Sequence, residues 1–192
     1  MKEFNIYITG VGGQGIGLLS QALLQAIDHA GLDAVAVDTH GLAQRGGVVA
    51  SRIRFGEQVY SPLTMKHRSD LVLAMEIHEA LRGVNTAVKD SGALVYLDVS
   101  WQPLPVRISG EKPMTNDDIS KTCHARQVQV FRVESHKIPD PRMQNMAVLG
   151  TLAGHGLVRG VEKNHYLSAL EAVLPEKIRE ANINLFESYM SV

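Results

Sequence analysis

A glycine-rich turn between a predicted strand and a predicted helix constrains the fold of this chain more than any other feature. Residues 10–17 read Gly-Val-Gly-Gly-Gln-Gly-Ile-Gly, after the alternating apolar run 4–9 and before a segment with helical spacing. Because glycine has no Cβ, such a turn can bring its backbone close to a ligand or a neighbouring chain. The free N–H groups and the positive dipole end of the following helix would favour an anion or a carbonyl oxygen there.

A second glycine-containing stretch follows the next predicted strand. Residues 38–47 read Asp-Thr-His-Gly-Leu-Ala-Gln-Arg-Gly-Gly. In a parallel sheet both strands would end at the same edge, so we expect the two loops to form one shared surface. His40, Gln44 and Arg45 are suited to hold an anionic or carbonyl-bearing molecule, and Arg45 could pair with a carboxylate or a phosphate. The alternative is a solvated loop in which His40 makes only a local hydrogen bond.

The rest of the chain alternates predicted strands with predicted helices. Strands are predicted at 4–9, 33–38, 48–55, 70–75, 93–99 and 127–133, with 58–60 able to pair back on 48–55 as a hairpin. Helices are predicted at 15–30, 77–88, 115–125, 143–158, 165–174 and 176–190. The pattern predicts a single α/β domain over 1–192, with a three-layer α/β/α, Rossmann-like architecture and a mostly parallel sheet. Residues 48–60 could add antiparallel strands and make that sheet mixed.

Composition argues against several classes of protein. A formal net charge of −1 does not supply the basic face that nucleic-acid binding normally needs. The chain has no apolar run of about 18 residues or more, so no membrane span is expected. Its first residues enter a strand almost at once and do not resemble a signal peptide. These features predict a cytoplasmic protein that binds neither nucleic acid nor membrane.

Cysteine and histidine usage predicts no metal site and no catalytic nucleophile on this chain. Cys123 is the only cysteine, so the chain alone can form neither a disulfide nor a four-thiolate iron–sulfur cluster. The eight histidines contain no pair at i and i+4 and no cluster with cysteine at zinc-like spacing. Cys123 lies in a predicted helix, where we expect it to pack as a small apolar side chain.

Three acidic residues and one asparagine near predicted helix starts have structural interpretations. Asp70, Glu76 and Glu79 flank the strand at 70–75 and are expected to be solvated acids, the last two at a helix N-terminus. Asn145 lies in the first turn of the helix at 143–158, where a cap or a packing residue is expected rather than a ligand.

The spacing Gly10-x-Gly12-x-x-Gly15 also fits the dinucleotide-binding fingerprint, and Asp38 ends the second predicted strand. A free-standing nucleotide-binding oxidoreductase or regulator is therefore an alternative. The glycines could instead serve a tight turn and close packing of helix on sheet, or clear space for a partner subunit. Three features argue against nucleotide binding. The chain has little room for a second substrate domain, the position of Asp38 fits the fingerprint only loosely, and the glycines continue into the second loop.

The two loops together resemble the gamma-type subunit of 2-oxoacid:ferredoxin oxidoreductases. The similarity rests on 10–15 followed by 38–47, continues through 61–63, 69–74 and 79–82, and includes Asn145-Met146-x-x-Leu149-Gly150 in a later helix. Within the family it is greatest to the indolepyruvate-oxidising members, with the pyruvate and other 2-oxoacid members as the alternative. This chain departs from the pattern at Lys66-His67-Arg68, where a small, glycine-containing stretch is expected.

The resemblance implies a subunit that is inactive alone and supports oxidative decarboxylation of a 2-oxoacid, with coenzyme A accepting the acyl group and ferredoxin the electrons. Thiamine diphosphate, Mg²⁺ and the iron–sulfur clusters are expected in a large catalytic partner subunit, through which ferredoxin would be reached, and none of them on this chain alone. The resemblance also implies which residues contact coenzyme A, the substrate or the partner: Gly12, Gly13, Gln14, His40, Gln44 and Arg45. None of these residues is expected to act as the catalytic base.

Overall fold

The computed structural model describes residues 2–40, 47–101 and 114–191. Its strands are β1 (Phe4–Val11), β2 (Ala34–His40), β3 (Val48–Phe55), β4 (Ser69–Ala74), β5 (Val88–Asp98) and β6 (Gln129–Glu134). Its helices are α1 (Ile16–His29), α2 (Ile77–Thr86), α3 (Asn116–Ala125), α4 (Gln144–Gly154), α5 (Lys163–Val173) and α6 (Glu176–Met190). Two short 3₁₀ turns, Ser135–Lys137 and Pro141–Met143, connect β6 to α4. All six strands and six helices of the sequence prediction are present among these residues.

The strands form one mixed sheet in the order β2-β3-β1-β4-β5-β6. β3 is antiparallel to both of its neighbours, whereas β1, β4, β5 and β6 pair in parallel. β2 therefore runs in the same direction as β1, and five strands end at one edge of the sheet. We call this the carboxyl edge; β3 begins there.

Helices cover both faces of the sheet, which confirms the predicted three-layer α/β fold. On one face α1, α4, α5 and α6 bury the larger apolar core, which includes Ile8, Leu23, Leu149 and Phe186. On the other face α2 and α3 bury a smaller core around Val72 and Tyr96. The continuous apolar run in β4 follows from this, since central strands are covered on both sides. All eight residues of β1 are buried for the same reason, although Asn5 and Thr9 are polar.

The second face of the sheet is covered unevenly. The principal contacts of α2 are with β1, β4 and β5, and they do not extend to β2 or β3. β3 accordingly alternates as predicted: Ile53 and Phe55 are buried under α1, while Arg52 and Arg54 project from the opposite face. On that side, β3 and β2 therefore lie outside the principal contacts of α2, and we call this part of the sheet its open half.

The predicted hairpin at 58–60 is wrong. Both edges of β3 are already paired, with β1 and with β2, so no edge is free for a returning strand. Gln58 also has a φ of +59°, a left-handed conformation that does not continue an extended chain. Residues 57–68 instead run as an irregular segment to the start of β4.

Helix α4 ends at Gly154 rather than at the predicted residue 158. Two backbone hydrogen bonds close its end, from Gly156 N to Ala153 O at 3.0 Å and from Leu157 N to Leu152 O at 3.2 Å. Within the helix, a Cβ added at Gly150 would lie 2.3 Å from the carbonyl oxygen of Phe186. The close approach of α4 and α6 thus requires a glycine there.

Candidate functional site

The structure brings the described ends of the two predicted loops together at the carboxyl edge. Val48 at the start of β3 pairs with Val11 at the end of β1, and Val49 pairs with His40 at the end of β2. The N–H of Gly12 donates to the carbonyl oxygen of Gly47 at 3.0 Å. The two loops therefore share one rim, as the sequence predicted.

Not every predicted site residue can be located. Gly12, Gly13 and Gln14 are described in full, and His40 is described for its backbone as the last residue of β2. Gln44 and Arg45 lie outside the described residues. Their predicted roles, like the role of His40, remain predictions.

The turn after β1 presents its backbone outwards at Gly13. This residue has a φ of +102°, it is exposed, and a Cβ built on it would meet no atom within 4 Å. Gly15, with a φ of +74°, is also exposed but lies against α4: an added Cβ would lie 2.9 Å from Nδ2 of Asn145. Asn145 is buried, and its Oδ1 accepts from Met146 N at 3.0 Å, so it is a packing residue, as predicted.

Gln14 joins two strand ends through its side chain. Its Oε1 accepts a hydrogen bond from the N–H of Val11 at 2.8 Å, and its Nε2 donates to the carbonyl oxygen of Met75 at 2.6 Å. The residue is only 9% exposed. Gln14 thus holds the turn after β1 against the segment that leaves β4, and we call this pair of hydrogen bonds the Gln14 clasp.

The clasp lies at the crevice where a dinucleotide would bind in this class of fold. The connection from β1 leads to β2 on one side, whereas the connection from β4 leads to β5 on the other, so the crevice opens between β1 and β4. Here the Gln14 side chain spans that crevice. The N–H groups of Gly12 and Gln14 donate to the carbonyls of Gly47 and Val11. Two backbone donors of the turn that could bind a pyrophosphate are therefore used within the chain, which argues against the nucleotide-binding alternative.

Two carboxylates beside the clasp are buried, which corrects the prediction that they are solvated. Glu76 is 1% exposed and Glu79 is 2% exposed. Glu76 caps α2 by accepting from the N–H of Glu79, and its Oε2 lies 2.9 Å from Nδ1 of His78. Glu79 accepts from Oγ1 of Thr9 at 2.7 Å and from Nε of Arg82 at 3.0 Å. Sequence reasoning missed this cluster because its partners are brought together by the pairing of β1 with β4.

Asp70, the third of these acids, is not part of the carboxyl edge. It lies at the start of β4, at the opposite end of the sheet, where it accepts from Asn5 N at 2.8 Å and forms an ion pair with Lys89. Its side chain is only 13% exposed, so it too differs from the predicted solvated acid.

Burial of Cys123 supports the interpretation that it is a packing residue. The side chain lies in the core between α3 and the sheet, and desolvation raises the pKa of its thiol to about 11. A thiol with so high a pKa is a poor nucleophile and a poor metal ligand at neutral pH. Within 2–40, 47–101 and 114–191, no group of three or more His, Cys, Asp or Glu residues could hold a metal ion. No helix in those ranges has both the length and the apolarity to cross a membrane.

A groove of about 610 Å³ lies at the other end of the sheet, between β6 and helices α4 and α6. Its charged lining residues are already paired, Arg132 with Asp98 and Lys137 with Glu134. These pairs leave little net charge to bind an anion, so the groove is a weaker candidate site than the joined loops.

Replacing Gln14 with Met tests the clasp. Met has a similar length but no hydrogen-bonding amide, so the Val11 N–H and the Met75 carbonyl would lose their partner. We expect the free energy of unfolding to fall by about 1–3 kcal/mol in urea titrations. Gln21 on the exposed face of α1 offers a matched control, and Gln21→Met should change stability little. Equal effects of the two substitutions would show that the clasp does not stabilise the chain.

Replacing Glu79 with Gln tests the cost of the buried carboxylate. Desolvation raises the pKa of Glu79 against the opposing effects of Thr9 and Arg82. An acid whose pKa is raised by folding stabilises the fold while it is protonated and loses that contribution as pH rises through the folded pKa. We therefore expect Glu79→Gln to raise the melting temperature at pH 8, with a difference that shrinks as pH falls towards 4. The exposed Glu171→Gln is the control; a benefit at pH 4 as large as at pH 8 would contradict the argument.

The family model of pyruvate ferredoxin/flavodoxin oxidoreductase matches residues 5–191. Indolepyruvate oxidoreductase subunit IorB of Thermococcus kodakarensis is 42% identical over 197 residues, which cover 97% of this chain and 94% of the relative. Two solved structures share the fold at 19% sequence identity. The gamma subunit of a keto/oxoacid ferredoxin oxidoreductase from Geobacter sulfurreducens has a TM-score of 0.69, with 98% of this chain and 96% of that chain covered.

The second solved structure is the 2-oxoglutarate:ferredoxin oxidoreductase of Magnetococcus marinus with 2-oxoglutarate, coenzyme A and succinyl-CoA bound. It has a TM-score of 0.73, and the match covers 100% of this chain but 31% of that longer one. The resemblance noted from the two loops is thus confirmed over almost the full length. The chain belongs to the pyruvate ferredoxin/flavodoxin oxidoreductase family.

Proposed function

We propose that this chain is the non-redox subunit of an indolepyruvate-type 2-oxoacid:ferredoxin oxidoreductase. The observation that carries the proposal is the junction of the two loops at the carboxyl edge, through Gly12 and Gly47, in a chain of this family. The indolepyruvate substrate is taken from the name of the Thermococcus relative, which is similar over nearly its whole length. The reaction converts a 2-oxoacid, coenzyme A and two oxidised ferredoxins into an acyl-CoA, carbon dioxide, a proton and two reduced ferredoxins.

The cofactors of this reaction would be carried by a large catalytic partner. An iron–sulfur cluster needs several thiolates, and this chain has one cysteine, which is buried. Thiamine diphosphate with Mg²⁺ supplies the carbanion chemistry when bound, and the clusters pass the electrons to ferredoxin. The residues of this chain would have a different task, which is to close over the partner's active site and exclude water.

Each predicted site residue has a role in that closure. The exposed backbone of Gly13 can approach the partner or a bound molecule without obstruction by a side chain. Gly12 joins this turn to the second loop, and Gln14 orients the turn through the clasp rather than by reaching a ligand. From the second loop His40, Gln44 and Arg45 would contact coenzyme A, the substrate or the partner. Arg45 is suited to a carboxylate or a phosphate, because its guanidinium can donate two parallel hydrogen bonds.

The structure of the Magnetococcus enzyme contains coenzyme A, and 31% of that longer chain matches this chain in fold, so coenzyme A is the ligand we propose for contact with the loops. A free-standing nucleotide-binding oxidoreductase is the weaker reading, since Gln14 spans the crevice that a dinucleotide would enter. Absence of nicotinamide or flavin nucleotide binding by the purified chain in calorimetry would remove that alternative.

The subunit role is tested by expressing the large partner with and without this chain. We expect indolepyruvate-dependent ferredoxin reduction only when both are present, because the partner alone would leave its active site open. The chain alone should show no activity. Full activity of the partner alone would disprove the essential role of this chain, and a preference for pyruvate over aryl pyruvates would correct the substrate.

The anion-contact role of Arg45 is tested with Arg45→Ala in the assembled enzyme. Loss of one charge-assisted hydrogen-bonding group costs about 1.5–3 kcal/mol, so we expect the KM for coenzyme A or for the oxoacid to rise about tenfold or more. Arg45→Lys should restore part of the loss, because it keeps the charge without the planar fork. Arg159→Ala, on an exposed side chain beside Phe4 at the start of β1 and so at the end of the sheet opposite the loops, is the control. Unchanged kinetics for both substrates would exclude Arg45 from the site.

A further inference from the structure

An apolar and basic surface lies away from the carboxyl edge. It comprises Tyr60, Leu63, Met65, Lys66 and Arg68 of the segment before β4, together with Arg52 of β3; we call it the 60–68 patch. Tyr60 is 87% exposed, Leu63 66% and Met65 74%. Three large apolar side chains exposed within six residues are unusual for a surface that meets only water.

The backbone of this segment is nevertheless held in place. Arg54 donates from Nη1 to the carbonyl oxygens of Ser61 and Leu63, at 2.8 and 2.9 Å. The same guanidinium donates from Nε to Oδ1 of Asn5 at 2.7 Å and pairs through Nη2 with Glu3 at 2.8 Å. The apolar side chains are thus presented on an ordered backbone, so a partner would not have to order it on binding.

The patch continues onto the open half of the sheet. A pocket of about 120 Å³ is lined by Met65 and Lys66 of the segment together with Tyr7 of β1 and Arg52 of β3. The guanidinium of Arg52 lies over the Tyr7 ring, 5.2 Å from its centroid. No principal contact of α2 reaches β3, and Met65 and Lys66 beside this pocket are exposed.

The charge of the patch is positive and is not neutralised by ion pairs within 2–40, 47–101 and 114–191. Among the described residues, no ion pair joins Arg52, Lys66 or Arg68 to a carboxylate. Glu3 and Asp70, which line a neighbouring pocket with Arg68, are already paired with Arg54 and Lys89. Because the whole chain has a formal net charge of −1, this excess of positive charge is local.

This charge indicates which kind of partner fits. A symmetric contact between two copies would place the patch against itself and bring like charges together, which is unfavourable. A different polypeptide with acidic side chains around an apolar recess would complement both the cations and the exposed Tyr60, Leu63 and Met65.

We propose that the 60–68 patch is a docking surface for the large catalytic subunit, which contributes acidic side chains around an apolar recess. This inference rests on the proposed function. Lys66 and Arg68 precede the start of β4, at the edge of the sheet opposite the glycine loops. The catalytic subunit would therefore hold this chain at two separate places, the carboxyl edge and the 60–68 patch.

Charge reversal tests the electrostatic part of the proposal. In biolayer interferometry at low salt, the double variant Lys66→Glu/Arg68→Glu should bind the catalytic subunit at least about tenfold more weakly than the wild-type chain. Added salt should reduce this difference in affinity between variant and wild type. The matched control is Lys121→Glu/Lys177→Glu, which reverses two exposed lysines on α3 and α6. Equal affinities of the two double variants would overturn the proposal.

Labelling tests the apolar part without depending on affinity. Cys123 is buried, so Tyr60→Cys would provide an accessible thiol for a maleimide reagent in the native complex. We expect it to react in the free chain and to be protected in the complex with the catalytic subunit. Ile178→Cys, at a position 44% exposed on α6, should react in both states. Equal reaction of Tyr60→Cys in both states would overturn the proposal.

The outcomes also separate this inference from the proposed function. If the wild-type chain binds the catalytic subunit and supports activity while the charge reversal changes neither, the docking surface is wrong and the function stands. If the wild-type chain does not bind the catalytic subunit, the proposed function itself fails. If the chain forms concentration-dependent dimers that Leu63→Asp disrupts, the patch binds a second copy and the proposal is overturned. If the chain sediments with anionic vesicles and the charge reversal abolishes this, the patch binds a lipid surface and the proposal is likewise overturned.

Discussion

The candidate site depends on the insertion of one antiparallel strand, β3, between β1 and β2. β2 and β1 run in the same direction, and their carboxyl ends are separated by the width of two strand spacings, about 10 Å. The chain that leaves β2 must return along β3, which starts beside the end of β1. Gly47 therefore lies next to Gly12, and the hydrogen bond between them joins the two glycine loops into one surface. Without β3 in that position, both loops would still lie at the carboxyl edge, but the hydrogen bond between Gly12 and Gly47 would not join them.

Polar contacts within the chain fill the region that a nucleotide occupies in related architectures. The Gln14 clasp joins the end of β1 to the segment that leaves β4, and beside it Glu79 of α2 accepts from Thr9 of β1. Burying these groups is tolerable because each has a hydrogen-bonding partner. In this chain the glycine spacing of a dinucleotide-binding turn thus indicates the conformation of the turn and not a bound nucleotide. The side chain of Gln14 makes the hydrogen bonds that hold that conformation. The same turn leaves Gly13 exposed for an approach from outside.

The two proposed contact surfaces belong to the same half of the sheet. The glycine loops lie at the carboxyl edge of β1, β2 and β3, and the 60–68 patch extends from the other edge onto the face of β3 that α2 leaves open. A partner that covers this half would bury the exposed apolar side chains and meet both loops at once. The helices α1, α4, α5 and α6 lie on the opposite face, where they complete the larger core and leave the partner side free.

The sequence by itself determined the elements and their order, because local signals specify them. Alternating and continuous apolar runs identified the strands, and apolar residues at helical spacing identified the helices. The pair Thr115 and Asp118 identified the start of α3, where the structure has the expected capping box. Shared loops at one edge also followed, since parallel strands end together. Only the tertiary structure decided that Gln58–Tyr60 is not a strand, because β3 has no free edge. It also decided that Glu76 and Glu79 are buried, where Thr9 of β1 donates to Glu79 from a distant position in the chain. Hydrophobic periodicity reports which face of an element is buried, whereas the partner of a polar side chain depends on which strands lie side by side.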